Sequence, residues 1–249
     1  MGQYHWNWMV IFEKVAGTEE YYYQWLLHGL GWTLAVAVGA WTIAMILGSA
    51  IGVARTAPIK WLSAAATAYV ELFRNIPLIV QLFLWFFVLP EMLPEHIGTW
   101  MKQGMPYPEF ITGMIGLGLF TAARVAEQVR TGITVLPRGQ KNAGLAMGLT
   151  LPQTYRYVLM PMAYRVIIPP LTSEFMNAFK NSSVCLAIGL TELTFQMKQI
   201  TGEYAAGNAI EVMTIAGAAY LIMAFSVNRL MAWVEVRVRV PGFISAGGK

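Results

Sequence analysis

The chain has 249 residues, of which 57% are apolar and only 12% charged, about half the charged share of a soluble domain. Too few polar side chains remain to cover a water-soluble globule, and the net charge of +4 is spread along the chain, which positive loops on the cytosolic side of a membrane protein explain better than nucleic-acid binding does. A single cysteine, Cys185, excludes an internal disulfide.

In chain order, residues 1–24 read as a polar and aromatic N-terminal segment. A first apolar span covers 28–54; acidic Glu13, Glu19 and Glu20 precede it, not the basic n-region of a cleaved signal. Gly48 and Gly52 in this span form a small-xxx-small pair, read as helix packing. The second span, 64–89, carries Glu71, Arg74 and Asn75 on one face, spaced i, i+3 and i+4. The connection 90–110 holds Pro90, Pro94, Pro106 and Pro108 and reads as an irregular loop.

The third span, 111–135, has Arg124, Glu127 and Arg130 along one side, and Gly118 with Ala122 as a second small pair. Between Pro137 and Pro152 the residues predict a short, partly apolar helix, with Asn142 able to cap its start and Gly148 suited to a tight exit turn. Exposed apolar surface there awaits a partner protein or lies on the bilayer. The fourth span, 163–187, begins with Pro169 and Pro170, carries Glu174, Asn177 and Lys180, and is expected to break near Asn181-Ser182-Ser183. The connection 188–208 and a fifth span, 209–233, lead to a C-terminal tail, 241–249.

Five spans place the two termini on opposite sides. The segments 1–24, 90–110 and 188–208 hold only Lys14, Lys102 and Lys198, whereas the alternate set holds Arg55, Lys60, Arg138, Lys141, Arg156, Arg229, Arg237, Arg239 and Lys249 among others. Cationic loops stay in the cytosol, so the N-terminus is expected outside and the C-terminus inside. No span carries a catalytic set. The three histidines are scattered, Asp is absent, and no G-x-x-x-x-G-K-[ST] loop could cradle nucleotide phosphates. Uphill transport would draw on a partner or an ion gradient.

Two readings of the intramembrane charges stay open. In one, Glu71 with Arg74, and Glu127 with Arg124 and Arg130, neutralise one another and fix packing. In the other, Glu71, Arg74, Asn75, Glu174, Asn177 and Lys180 line a solute path, with Arg74, Asn177 and Lys180 as donors to a substrate carboxylate. Lys180 has no acid at i±3 or i±4 on its own helix.

The cytosolic stretch Asn142-Ala143-Gly144, then Gly148, then Val158, Met160 and Pro161, resembles the Glu-Ala-Ala…Gly…Ile-x-Leu-Pro motif of binding-protein-dependent ABC importer permeases, position for position. Asn142, Gly144 and Met160 depart from it, so the ionic contact of the motif's Glu is not carried over. Tyr69–Leu78, Ala126-Glu127 with Arg130, and Pro169–Phe175 resemble the polar amino-acid branch; Pro137–Ala143 with Ala146–Thr150 most resembles glutamate/aspartate importer permeases, and the likeness covers residues 25–240.

The resemblance implies an all-α integral membrane protein of five transmembrane helices, the type I importer permease fold, spanning 25–240 in a bacterial inner membrane. The coupling segment would be 139–151, with Lys141, Asn142, Ala143, Gly144, Ala146, Met147, Gly148 and Pro161 serving the ATPase contact. Implied partners are an ATPase subunit dimer that holds the ATP and magnesium, a second permease (another copy or a different chain), an extracytoplasmic substrate-binding protein and an amino-acid substrate. This chain itself would bind no cofactor or metal. A gradient-driven secondary transporter or channel is the alternative.

Overall fold

The computed structural model describes residues 5–204 and 206–238; the 241–249 tail, Arg239 and Lys249 lie outside them. Among the described residues every regular element is helical, apart from a single antiparallel bridge, Lys14 to Tyr21. That bridge closes a short loop behind a 3-10 turn, Trp8–Phe12, and the Asn7 amide donates to Glu211 at 2.8 Å.

The helices are α1 (Tyr22–Thr56), α2 (Lys60–Asn75), α3 (Leu78–Phe83), α4 (Leu89–Met92), α5 (Glu95–Thr99), α6 (Pro108–Thr134), α7 (Arg138–Ala146), α8 (Leu151–Thr154), α9 (Met160–Ser182), α10 (Leu193–Gln199) and α11 (Ala209–Val238). Three of them, α1, α6 and α11, are long and apolar enough to cross a bilayer alone. A fourth crossing appears if α2 and Leu78–Met92 are counted together.

The expected second span, 64–89, is therefore not one rod. Pro77 bars its neighbour from the α region, and Ile76 sits extended at φ −94°, ψ 129°, ending α2. The expected fourth span corresponds to α9, which Arg165, Glu174 and Lys180 make too polar to meet the same measure. Pro169 and Pro170 do not interrupt α9; its α geometry ends at Ser182, within the anticipated polar cluster, and tightens to a 3-10 turn, Ser183–Ile188. The 90–110 connection is more ordered than its prolines suggested, folding as α4, α5 and a π turn, Trp100–Gly104.

Two of the π turns precede a proline that continues the helix: Pro90 and Pro161 each stand two residues past one (Leu84–Val88, Tyr155–Leu159). Inside a helix a proline offers no amide hydrogen to the carbonyl four residues back, and its ring crowds that oxygen, so the preceding turn widens.

The chain divides into two compact units, one formed by residues up to 40 with 77–117 and 178–225, the other by 41–76, 118–177 and from 226 onward. In the first, α3 packs on the Ser183–Ile188 turn, and buried Leu82 and Cys185 approach Gly116 and Gly113 of α6. In the second, α6 and α9 bury Ala122, Val125, Val129, Ile133, Ala163, Ile167 and Leu171 around Ala44 of α1. Gly48 and Gly52 let α1 close on α6: a Cβ at either would lie 2.8 Å or less from a carbonyl oxygen, Ala122 or Ala126. The Gly48/Gly52 pair thus serves packing. Outward-facing Ile46, Phe87, Leu221, Ile222 and Phe225 are exposed, as in a protein whose solvent is lipid.

Candidate functional site

The helix expected between Pro137 and Pro152 is α7, but it starts earlier than Asn142. Pro137, extended at ψ 132°, stands as its N-cap, and Arg138 is the first helical residue. Asn142 is thus mid-helix and exposed, not a cap. The far end matches the expectation for Gly148. This residue sits at φ +85°, its amide donates to Leu145 O (3.0 Å), and the Leu149 amide reaches back to Gly144 O (3.2 Å). That pair of bonds is a Schellman closure, which needs a residue tolerant of positive φ.

Two residues later Gln153 Oε1 accepts from Thr150 N (2.8 Å) and Thr150 Oγ1 (2.9 Å), fixing the entry to α8. Gly144 is buried against Thr154, where a Cβ would come within 2.9 Å of the Thr154 methyl. The opposite edge is open: Asn142, Ala143, Leu145, Ala146, Met147 and Gly148 are exposed, Met147 by 83%, while Lys141 is half-buried. Pro161 is exposed at the start of α9. The result is a short helix with small and apolar side chains outward and a glycine inward.

The second unit also holds a charge cluster drawn from four helices. Glu127 on α6 receives Arg55 of α1, Arg130 at 2.6 Å and Arg74 of α2 at 3.7 Å. Arg124 lies over the Phe120 ring and 4.0 Å from Glu174 of α9. The pairings expected from spacing are therefore corrected. Arg74 reaches Glu127 and not Glu71, and Arg124 turns to Glu174 and not Glu127, because neighbouring helices offer acids where their own helix offers only a crowded turn.

Glu71, Arg74 and Asn75 are exposed on α2, and Asn75 Nδ2 donates to Glu71 O (2.8 Å). Glu174 and Asn177 are half-buried, and Lys180 is exposed with no ion pair among the described residues. Of the six path candidates, Arg74 and Glu174 thus join ion pairs of the cluster.

Sequence reasoning missed Arg55, taking it only as a loop cation. The available signal was its position three residues after Gly52 and seven after Gly48, which puts it on the glycine face that packs on α6. Glu192 was missed as well. It lies in the 188–208 connection, fully buried, capping α10 through the Phe195 and Thr194 amides (2.8 and 3.0 Å) and accepting the Tyr220 hydroxyl of α11 at 2.9 Å. Thr33 of α1 accepts the adjacent Leu193 amide at 3.1 Å. Burial raises the Glu192 carboxyl above the usual range, outweighing the amide and hydroxyl donors that lower it.

The family model for binding-protein-dependent transport system inner membrane components matches residues 42–240. The chain is 49% identical to the glutamate/aspartate import permease protein GltJ of Escherichia coli (strain K12), over 98% of each chain. It is 31% identical to the glutamate/aspartate import permease protein GltK of Escherichia coli O6:H1, over 85% of this chain and 92% of that one. A crystal structure of an amino acid ABC transporter with histidines superposes with a TM-score of 0.71 at 31% identity, covering 87% of this chain and 95% of that one. An all-helical chain with α7 exposed between two proline-marked boundaries, matched by that model over most of its length, belongs to the binding-protein-dependent inner membrane components, the permease subunits of ABC importers.

Proposed function

We propose that this chain imports glutamate and aspartate as one half of a permease pair. The near full-length likeness to GltJ supports the substrate class, and the likeness to both GltJ and GltK favours a second, different permease chain over a second copy. Family membership sets aside the gradient-driven alternative. In this reading a dimer of ATPase subunits, which holds ATP and magnesium, docks on α7, and an extracytoplasmic binding protein delivers substrate on the other side.

The domain reading is an outer segment 1–24, a five-span permease 25–240 with α9 as the fourth span, and a cytosolic tail 241–249. The N-terminus lies outside and the C-terminus in the cytosol. Asn177 and Lys180, with Glu71, Arg74, Asn75 and Glu174, line the path, and the cations and amides among them meet the substrate carboxylate.

The observation that carries the proposal is the outward edge of α7, where Ala143, Ala146 and Met147 are uncovered while Gly144 is buried. ATP closure of the partner would move this helix, and with it α8 and α9. Replacing Met147 by Glu puts an unpaired charge into that contact, and we expect copurification of the ATPase to fall roughly ten-fold or more. In proteoliposomes, glutamate uptake should require the ATPase and persist with an uncoupler; ATP hydrolysis stimulated by basic amino acids but not by glutamate or aspartate rejects the substrate assignment.

A further inference from the structure

Where α1 turns into α2, an open cavity of about 490 Å³ faces the start of α8 and α9. Its walls are Val53, Ala57, Ile59, Leu151 and Met160, with Arg156 the single charged residue. Tyr155 contributes only its ring, because its hydroxyl is turned away and donates to Thr56 O at 2.8 Å. A second hollow continues from the first across the shared Ala57 and Pro58 and is lined by Lys60, Ser63 and Thr67.

Arg156 and Lys60 are both exposed, and neither has an ion pair among the described residues; Arg156 stacks on Tyr157 with its Cζ 5.6 Å from the ring centre. Trp61, 73% exposed, stands next to Lys60, the kind of ring found at a membrane–water boundary.

An apolar trough bordered by two cations with no ion pair among the described residues matches one ligand chemistry. The acyl chain of a lipid fills the trough, and its anionic headgroup meets Arg156 and Lys60; the Ser63 hydroxyl takes no part, because it donates its hydrogen to Arg55 O at 3.0 Å. We propose that this groove is a binding site for an anionic phospholipid. Basic pockets between membrane helices are the usual seats of such headgroups. Charge complementarity separates this occupant from zwitterionic lipid, and the apolar wall separates it from free phosphate.

Native mass spectrometry of the full-length chain, released from nanodiscs holding equal phosphatidylglycerol and phosphatidylcholine, reads the occupant directly. Wild type is expected to retain phosphatidylglycerol preferentially. Retention should fall roughly five-fold in Arg156→Gln and roughly thirty-fold in the Lys60→Gln/Arg156→Gln double variant, as each cation contributes independently. Ala57→Phe, which fills the trough and spares both cations, should also lose the lipid, and excess inorganic phosphate should leave wild-type occupancy unchanged. Equal retention of the two lipids by wild type, unchanged retention in the double variant, or displacement by phosphate overturns the proposal. So does loss of the lipid when the ATPase is bound, which would make the groove part of the motor contact. The wild-type lipid preference decides the matter by itself if the variants fail to fold.

Discussion

Glu127 is the carboxylate on which three guanidinium groups converge, and Arg55, whose side chain is only 9% exposed, has the least water to fall back on. Glu127→Gln keeps the shape and removes the charge, so Arg55 is left buried beside other cations. Losing one partner of such a pair costs about 3 kcal/mol, and the melting temperature of the purified chain should drop accordingly. The Arg55→Gln/Glu127→Gln double variant should recover part of the loss, since the orphaned charge goes too. Glu192 makes a different prediction. Its folded carboxyl titrates above the ordinary value of about 4.3, so its stabilising contribution is present at acid pH and is lost as pH rises through the raised value. Thermal unfolding measured across pH should show that slope in wild type and not in Glu192→Gln. The two residues were unequally legible. The glycine face of α1 already marked Arg55, whereas nothing in the sequence near Glu192 announces that Thr33 and Tyr220, far away in the chain, will close around it.

Elements were legible where one local rule governed them. Gly148 read as an exit turn because positive φ leaves few alternatives, and α7 formed where Pro137 and Gly148 delimit it. Asn142 misled because two start signals competed and the proline, four residues upstream of the first helical turn's end, came first. The break at Ile76-Pro77 was overlooked because hydropathy averages over twenty residues and cannot register one backbone angle. Close approach of α1 to α6 gives the test at this scale. A methyl at Gly52 would sit 2.7 Å from Ala126 O, so Gly52→Ala must push two helices apart, at a cost of about 1–3 kcal/mol. Gly31 on the same helix has open space around its Cα, and Gly31→Ala should stabilise by up to about 1 kcal/mol. Denaturation of the two variants side by side in one detergent compares the crossing with the helix itself.

For the molecule as a whole, composition and hydropathy lead to the membrane, and windows of about twenty residues draw a span over 163–187, but α9 falls short of the measure that α1, α6 and α11 meet. Ion pairs that cross between helices, such as Arg124 with Glu174, cannot be read from spacing because they depend on which helices become neighbours. One feature of α7 bears on how such a machine runs. Its exit is wrapped by Gly148 and Leu149, the Thr150–Gln153 bonds start α8 at once, and Tyr155 fastens the next turn to Thr56 of α1. No free play separates the peg from the rods behind it. Adding two glycines after Leu149 should therefore leave ATP hydrolysis running while glutamate accumulation in proteoliposomes stops, as a gearbox with a slipped clutch still turns its engine. On the docking proposed for α7, the stiffness of this joint bears on how many molecules cross for each ATP spent.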